Sequence, residues 1–583
     1  MASPESTEDA DEKWCRENGL PSIDQPFIQK YLDGRDALVA QEKHQRADHA
    51  FREMMTPMAK EAAAVISAIR FQEEQTLWNS EFEDSIAKTT DQPIYPGMMF
   101  SLAKDRMETS KLWQIVRKMP KGCLLHCHLH ATGDLDWLIE DAFSTPGICI
   151  LAETSLHTID IRQDHRIPFL FKFASKELQS EGPPLWSESY KPIDLIPIKT
   201  AAESFPEGST EGFKKWVKSR MTLSAADAIS HHLGPNDIWS RFIACFGIIK
   251  GLTNYEPIFR GFLKLFFRGL HQDGIKWVDI RCDFNAKFTR EGQDQPETDY
   301  IRWFEVLDEV LEEFKGSEEG KGFWGATVIW TSIRQFGPKY IMEDMQQCID
   351  TKVEFPDLLL GFDFVGQEDV GRPLIDLTPE IFWFKKKCAE AGVDIPFFFH
   401  AGETLGDGDS VDENLFDAVL LGTRRIGHGI SLYRHPLLIE MVKEKKILIE
   451  SCPVSNEVLR YTGSIKMNVL PSLIARGVPC CLANDDPAIL GQGTNGMTHD
   501  FWQALQGWEN LGLAGLASLA ENSIRWANFE ECTAKEWQQD IKDGAYGKGV
   551  RAERMREWAA EFEKFCAWVV QEYGADIDEN SLD

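Results

Sequence analysis

Eight short apolar runs, each closed by polar residues, leave this chain few ways to fold. They are GCLLHCHLH (122–130), IKWVDIRCDF (275–284), GATVIWTSIR (325–334), LLLGFDFVG (358–366), IPFFFHAGE (395–403), RRIGHGISL (424–432), KKILIESCPVSN (445–456) and PCCLANDDP (479–487). Runs this apolar suit strands buried on both faces, as parallel strands are. Helical patterns such as EIFWFKKKCAEAG and PLLIEMVKEK separate most of them. Strand alternating with helix predicts an α/β chain folded as a closed (β/α)₈ TIM-type barrel. An open doubly wound sheet fits less well, because no G-x-G-x-x-G follows a strand. His126, His128, Gly366, His400, Glu403, His428, Asp485 and Asp486 all fall at the C-terminal ends of the runs. A barrel gathers its active site at those ends.

At 583 residues the chain exceeds what one core supports, so additions to the barrel are expected. Residues 1–25 read as an acidic, disordered N-terminus, and 26–118 as a helical extension, either a cap on the main domain or an oligomerisation arm. The barrel spans 119–540. Its first two strands are about 145 residues apart, too far for one crossover helix. The stretch from about 140 to 236, rich in Pro, Ser, Lys and Glu, therefore reads as an inserted subdomain or active-site cover. Residues 541–583 hold an amphipathic helix and an acidic tail.

A formal charge of −31 disfavours nucleic acid and anionic membranes as partners, while leaving room for one small anionic substrate at a locally basic site. The N-terminus has neither a basic n-region nor an apolar h-region, no run is long enough to span a bilayer, and no glycosylation sequon occurs. The thirteen cysteines sit mostly inside strand and helix patterns rather than at framework spacings. Together these features lead to the expectation of a cytoplasmic protein.

His-x-His on a strand puts His126 and His128 on one face, able to share a metal. Alone, that pair could equally be two core histidines; His400 and an aspartate at other strand ends favour the metal. Three imidazoles and a carboxylate suit one zinc ion with an open position for water. Glu403, in a pocket of small residues after three phenylalanines, could stay protonated and donate to a ring nitrogen. His428, between two glycines, is either a further ligand or the base that takes the water's proton. Asp485 and Asp486 are adjacent, so an extended backbone would point them in opposite directions, one to metal and one to substrate. No lysine near the fourth strand's end could bridge two metals, so a single ion is expected. The zinc-deaminase pattern H-x-E with P-C-x-x-C, the G-x-S-x-G elbow and the P-loop are all missing.

PKGCLLHCH, HAGE, GHG, SCPVSN and NDDP, in this order, resemble the adenosine deaminase family. MPKG, GFDFVGQED and WSRF…YEPIFR look most like its adenosine deaminase-related growth factor branch, and the lack of secretion features is similar to intracellular fungal members. The resemblance covers about residues 95–530. It implies that His126, His128, His400 and Asp485 bind Zn²⁺, with Asp485 also helping to hold the hydroxide. Glu403 would protonate purine N1, and His428 would orient and deprotonate the water. Asp486 would bond N7, the Gly366 backbone N–H would meet N3, and Trp239 would line the pocket. A homodimer through the N-terminal helices is likewise implied.

The family usually carries an acidic residue after its HxH pair, touching the ribose 5′ group; here Leu129-His130-Ala131 stands there. His130 would suit a 5′-phosphate, which makes AMP a substrate to test beside adenosine and 2′-deoxyadenosine. Adenine or an N6-substituted adenine nucleotide is a further option within the same chemistry. A non-catalytic growth-factor-like binding module and a metal-dependent amidase are readings of another kind.

Overall fold

The computed structural model describes residues 14–15, 17–78 and 99–576. Most of the expected disordered N-terminus, and nearly all of the acidic C-terminal tail, lie outside the described residues. The apolar runs form parallel strands: β1 (Gly122–His128), then β5 (Ile275–Asp283), β6 (Gly325–Ile333), β7 (Leu359–Val365), β8 (His400–Ala401), β9 (Arg425–His428), β10 (Leu448–Ser451) and β11 (Cys480–Leu482). Every residue of β7, β9, β10 and β11 is buried, as strands covered by helices outside and side chains inside must be. The covering helices carry apolar residues at three- and four-residue spacing. In Glu256–Gln272, Ile258, Phe259, Phe262, Leu263, Phe266, Phe267 and Leu270 face inward.

The eight strands divide into two four-stranded parallel sheets, ordered β1-β5-β6-β7 and β11-β10-β9-β8. Together they make the (β/α)₈ architecture, but the ladder is not continuous around the ring. At one seam a single bridge joins Cys127 to Asp485, held by His128 N–H to Asp485 O (3.0 Å) and Asp485 N–H to His126 O (3.1 Å). At the other, a bridge joins Phe362 to Phe397.

The second seam explains why β8 is two residues long where the sequence suggested nine. Its backbone groups are taken by buried side chains: His400 N–H donates to the Asp363 carboxylate (2.9 Å), and Phe398 and His400 carbonyls accept from Arg281 and Arg334. Ladder bonds are exchanged there for contacts to charged groups.

Between β1 and β5, three strands, β2 (Ile148–Ala152), β3 (Phe169–Phe173) and β4 (Ile196–Pro197), form an antiparallel sheet ordered β3-β2-β4. At the N-terminal side, helix Pro57–Thr76 buries Ala59, Ala62, Val65, Ile66 and Ile69 and packs on the C-terminal helix Val550–Tyr573. Each buried Val or Ile there contributes roughly 1.5–3 kcal/mol. Helix Pro26–His44 buries none of its residues. Among the described residues no helix is long and apolar enough to cross a membrane.

Candidate active site

Period-two geometry sends His126 and His128 to the same side of β1, their ring centres 5.4 Å apart. His400 opens β8 and His428 closes β9; their rings lie 4.5 and 4.9 Å from that of His126. Asp485 follows β11 by three residues. Its Oδ1 lies 3.1 Å from His126 Nε2 and 3.2 Å from His128 Nε2, and its Oδ2 accepts from Ser455 Oγ at 2.8 Å. One candidate ligand atom from each of His126, His400, His428 and Asp485 lies within 4.8 Å of the others; a second such group joins His128, Asp485 and Asp486. Both groups share Asp485. His428 (φ 64°) and Asp485 (φ 59°) hold left-handed backbone conformations, a strain that concentrates at functional sites. The turn at Asp485 also overrides the extended geometry expected from sequence. Both adjacent aspartates line one cavity instead of facing opposite ways.

The donor set fits a divalent metal. His126 Nε2 and Asp485 Oδ1 are both buried and have no hydrogen-bond partner, although they lie 3.1 Å apart. Two polar atoms that close yet misaligned for each other are aimed at a common third point. Burial outweighs the attraction of Asp363 and drops His400 to about 3, so its imidazole is neutral and its lone pair free. Burial also takes His428 well below the usual range, against the pull of Asp485.

Behind the imidazoles stands a layer of charges that motif reading missed. Glu450 bonds His126 Nδ1 at 2.8 Å, and Asp363 bonds His400 Nδ1 at 2.6 Å. Each carboxylate fixes its ring so that Nε2 faces the cluster. Arg281 joins both, donating to Asp363 (2.9 Å) and Glu450 (2.8 Å), while Arg425 joins Glu450 to Asp279. All five side chains are fully buried. Despite burial, the arginines and histidines hold the carboxyls of Asp363 and Glu450 far below the ordinary range. Glu368 supports the next segment, accepting from the backbone N–H groups of Gly402 (3.2 Å) and Glu403 (2.9 Å) and from Asn414. The signal was present in the sequence for five of them: Asp279, Arg281, Asp363, Arg425 and Glu450 each interrupt an apolar run, and a buried charge requires a partner.

Above the cluster lies a cavity of about 590 Å³, the size of a small-molecule site. His128, His400, His428, Asp485 and Asp486 line its floor with Glu403 and Gly366, and Trp239 is on its wall. His126 lies beneath, fully buried. Burial and the neighbouring charges of Asp485, Glu368 and Asp369 push the Glu403 carboxyl well up; burial and Asp485 do the same for Asp486. A carboxyl pushed up in this way keeps its proton to higher pH than an exposed one, and while protonated it can donate. His428 is 3.5 Å from Glu403 through Nδ1, which also bonds Asn456 (3.2 Å). Trp239 is fixed by Nε1 donating to Tyr461 Oη at 2.9 Å. His130 is not among the lining residues. The strand ends at His128, and the 3₁₀ turn Leu129–Ala131 turns His130 away, to Thr253 Oγ1 (2.8 Å) and Cys282.

A parallel barrel with imidazoles, a strained aspartate and buried carboxyls at its strand ends is built as a metal-dependent hydrolase. The family model for adenosine deaminase matches residues 221–543. Adenosine deaminase 2-A of Danio rerio is 32% identical over 439 residues, 74% of this chain and 80% of its own. Adenosine deaminase 2 of Homo sapiens is 30% identical, covering 77% and 84%, and adenosine deaminase of Phlebotomus duboscqi is 30% identical, covering 81% of each. A solved amidohydrolase from Burkhoderia ambifaria with bound Zn aligns at 14% identity and a TM-score of 0.46, covering 79% and 95%. The chain belongs to the adenosine deaminase family, and it is a metal-dependent aminohydrolase.

Proposed function

We propose that this protein hydrolyses adenosine, and 2′-deoxyadenosine, to the corresponding 6-oxopurine nucleoside and ammonia. The observation that carries the reading is the floor of the cavity, where the Glu403 and Asp486 carboxyls and the His428 imidazole face one space beside the histidine–aspartate cluster. Relatives named adenosine deaminase at 30–32% identity support the same substrate.

His126, His128, His400 and Asp485 would hold one Zn²⁺, since nitrogen and carboxylate donors suit zinc better than magnesium. Such an ion supplies Lewis acidity and makes water nucleophilic near neutral pH. The chain's own residues do the rest. Glu403 donates its proton to purine N1, drawing electron density from C6. Asp486 donates to N7, the Gly366 N–H meets N3, and Trp239 packs against the ring. His428 takes the proton of the attacking water as its oxygen bonds to C6. That proton passes to the amino group, the C6–N bond breaks, ammonia leaves, and the hydrogen remaining on the new C6 oxygen returns to Glu403 to give the 6-oxopurine. Loss of the adenine chromophore, abolished by a chelator and restored by zinc, tests this. Metal-loaded protein that leaves adenosine intact refutes it.

The same chemistry on AMP, or on another adenine nucleotide, is the alternative reading; Lys172, Lys250 and Lys287 line the cavity, and whether their charges are open to a phosphate decides between the two. We also infer a homodimer through helix Pro26–His44, which holds Phe27, Tyr31 and Leu38 more than 60% exposed; sedimentation of the full chain against one lacking that helix tests it. Thirteen free cysteines, eleven of them buried, support a reducing, cytoplasmic setting.

A further inference from the structure

Alternate residues of β5 share one face: Asp279, Arg281 and Asp283. The first two are spent in the buried charge layer. Asp283, the last residue of the strand, emerges at the cavity wall one strand away from His128, whose register partner is Arg281. Across from it is Lys250 of helix Gly234–Thr253, only 7% exposed. The Lys250 ammonium donates to the Asp283 carboxylate and to Asn285 Oδ1 (3.1 Å), and all three side chains line the cavity. One turn further along the same helix, Thr253 takes the hydrogen bond of His130 and ties the helix to the end of β1. His130, which the sequence placed at the 5′ end of the substrate, is thus withdrawn from the cavity, and Lys250, Asp283 and Asn285 line it.

We propose that Lys250, Asp283 and Asn285 form the sugar-recognition end of the site, and that Asp283, by neutralising Lys250, makes the enzyme select a nucleoside over its 5′-phosphate. The proposal rests on the adenosine reading above. Asp283 and Asn285 offer acceptors for ribose hydroxyl hydrogens, which a neutral sugar satisfies. A phosphate dianion brought to the same place meets a lysine whose charge is already matched and a carboxylate of its own sign. Like charges so placed discriminate strongly against the wrong ligand. Lys172 and Lys287 do not offset this: the Lys287 ammonium is held by Thr298 O and Gln347, and Lys172 is an exposed residue of β3.

The test compares kcat/KM for adenosine, AMP and free adenine in the metal-loaded full-length enzyme and in Asp283→Asn and Lys250→Met. Wild type is expected to prefer adenosine to AMP by about 100-fold, and Asp283→Asn to shift that ratio about 100-fold toward AMP by freeing the lysine's charge. Lys250→Met, which leaves the carboxylate alone, should move the ratio the other way; general damage to the fold would move both variants alike. Any change in the turnover of adenine, which has no sugar, measures damage to the site as a whole rather than to its sugar end. An Asp283→Asn ratio equal to wild type, or a wild type that consumes AMP as readily as adenosine, overturns the proposal while leaving the deaminase reading intact. A wild type inert toward all three compounds overturns that reading and this proposal with it.

Discussion

Asp363→Asn isolates what the charge layer behind the histidines contributes. In the wild type one carboxylate accepts three hydrogen bonds: from His400 N–H (2.9 Å), from His400 Nδ1 (2.6 Å) and from Arg281 Nε (2.9 Å). Asparagine keeps one oxygen for the backbone N–H. Its amide NH₂ then confronts two donors, Nδ1–H and the guanidinium. His400 either loses its anchor or switches tautomer, moving its hydrogen onto Nε2, the atom that faces the cluster. Removing such an outer partner costs about 10–100-fold in metal affinity, or about 1.4–2.7 kcal/mol. Arg281 is fully buried but keeps Glu450 (2.8 Å) and the carbonyls of Leu125 and Phe398, so destabilisation of the fold should sit near about 3 kcal/mol, the low end for a broken buried pair. Zinc competition against a chelator of known affinity reads the first quantity, and denaturant unfolding of the metal-free protein reads the second. A variant whose zinc affinity stays within about twofold of wild type would show that this carboxylate does not orient His400.

Glu403→Gln removes the donated proton while keeping shape, so kcat should fall by about 10²–10⁴-fold with zinc content unchanged; near-normal turnover would take Glu403 out of the mechanism. Chelation should lower thermal stability, each tenfold excess of free zinc over its Kd being worth about 1.4 kcal/mol, and calorimetry across a zinc series in which the melting point never moves would count against a structural grip on the ion. Asp344 is buried against Trp330 Nε1 (3.1 Å), and burial raises its carboxyl to about 7. Folding therefore takes up a proton there. The associated stability is fully present below about pH 4 and is lost as pH rises toward 7, by about 4 kcal/mol at most. Asp344→Asn should flatten the decline in melting temperature between pH 5 and 8, and parallel curves for the two proteins would refute this.

Strands were legible because a covered parallel strand must be apolar along its whole length, and the site because polar residues had no other reason to stand at the ends of such runs. The same rule left β8 overdrawn: the sequence of 395–403 is strand-like, but whether a neighbouring backbone or a side chain meets its amides depends on Asp363 and Arg281, 37 and 117 residues away from their partners. His130 misled for a related reason. His126, His128 and His130 keep period two, yet the face they share ends where the strand ends. Asp279, Arg281, Asp363, Arg425 and Glu450 were visible as charges within apolar runs, but who pairs with whom is a property of strand order, which the chain's linear pattern does not carry.

The two seams carry a consequence for how this enzyme comes apart. Its would-be ligands are divided between the half-barrels, with His126 and His128 on one and His400 and Asp485 on the other, and the amides of His128 and Asp485 are themselves the stitches of the first seam. A cation gripped from both banks acts as a clasp across the joint. Without it, those two amides are where the cylinder would first gape, and their exchange with deuterium would report the loss of the ion before any helix unwinds.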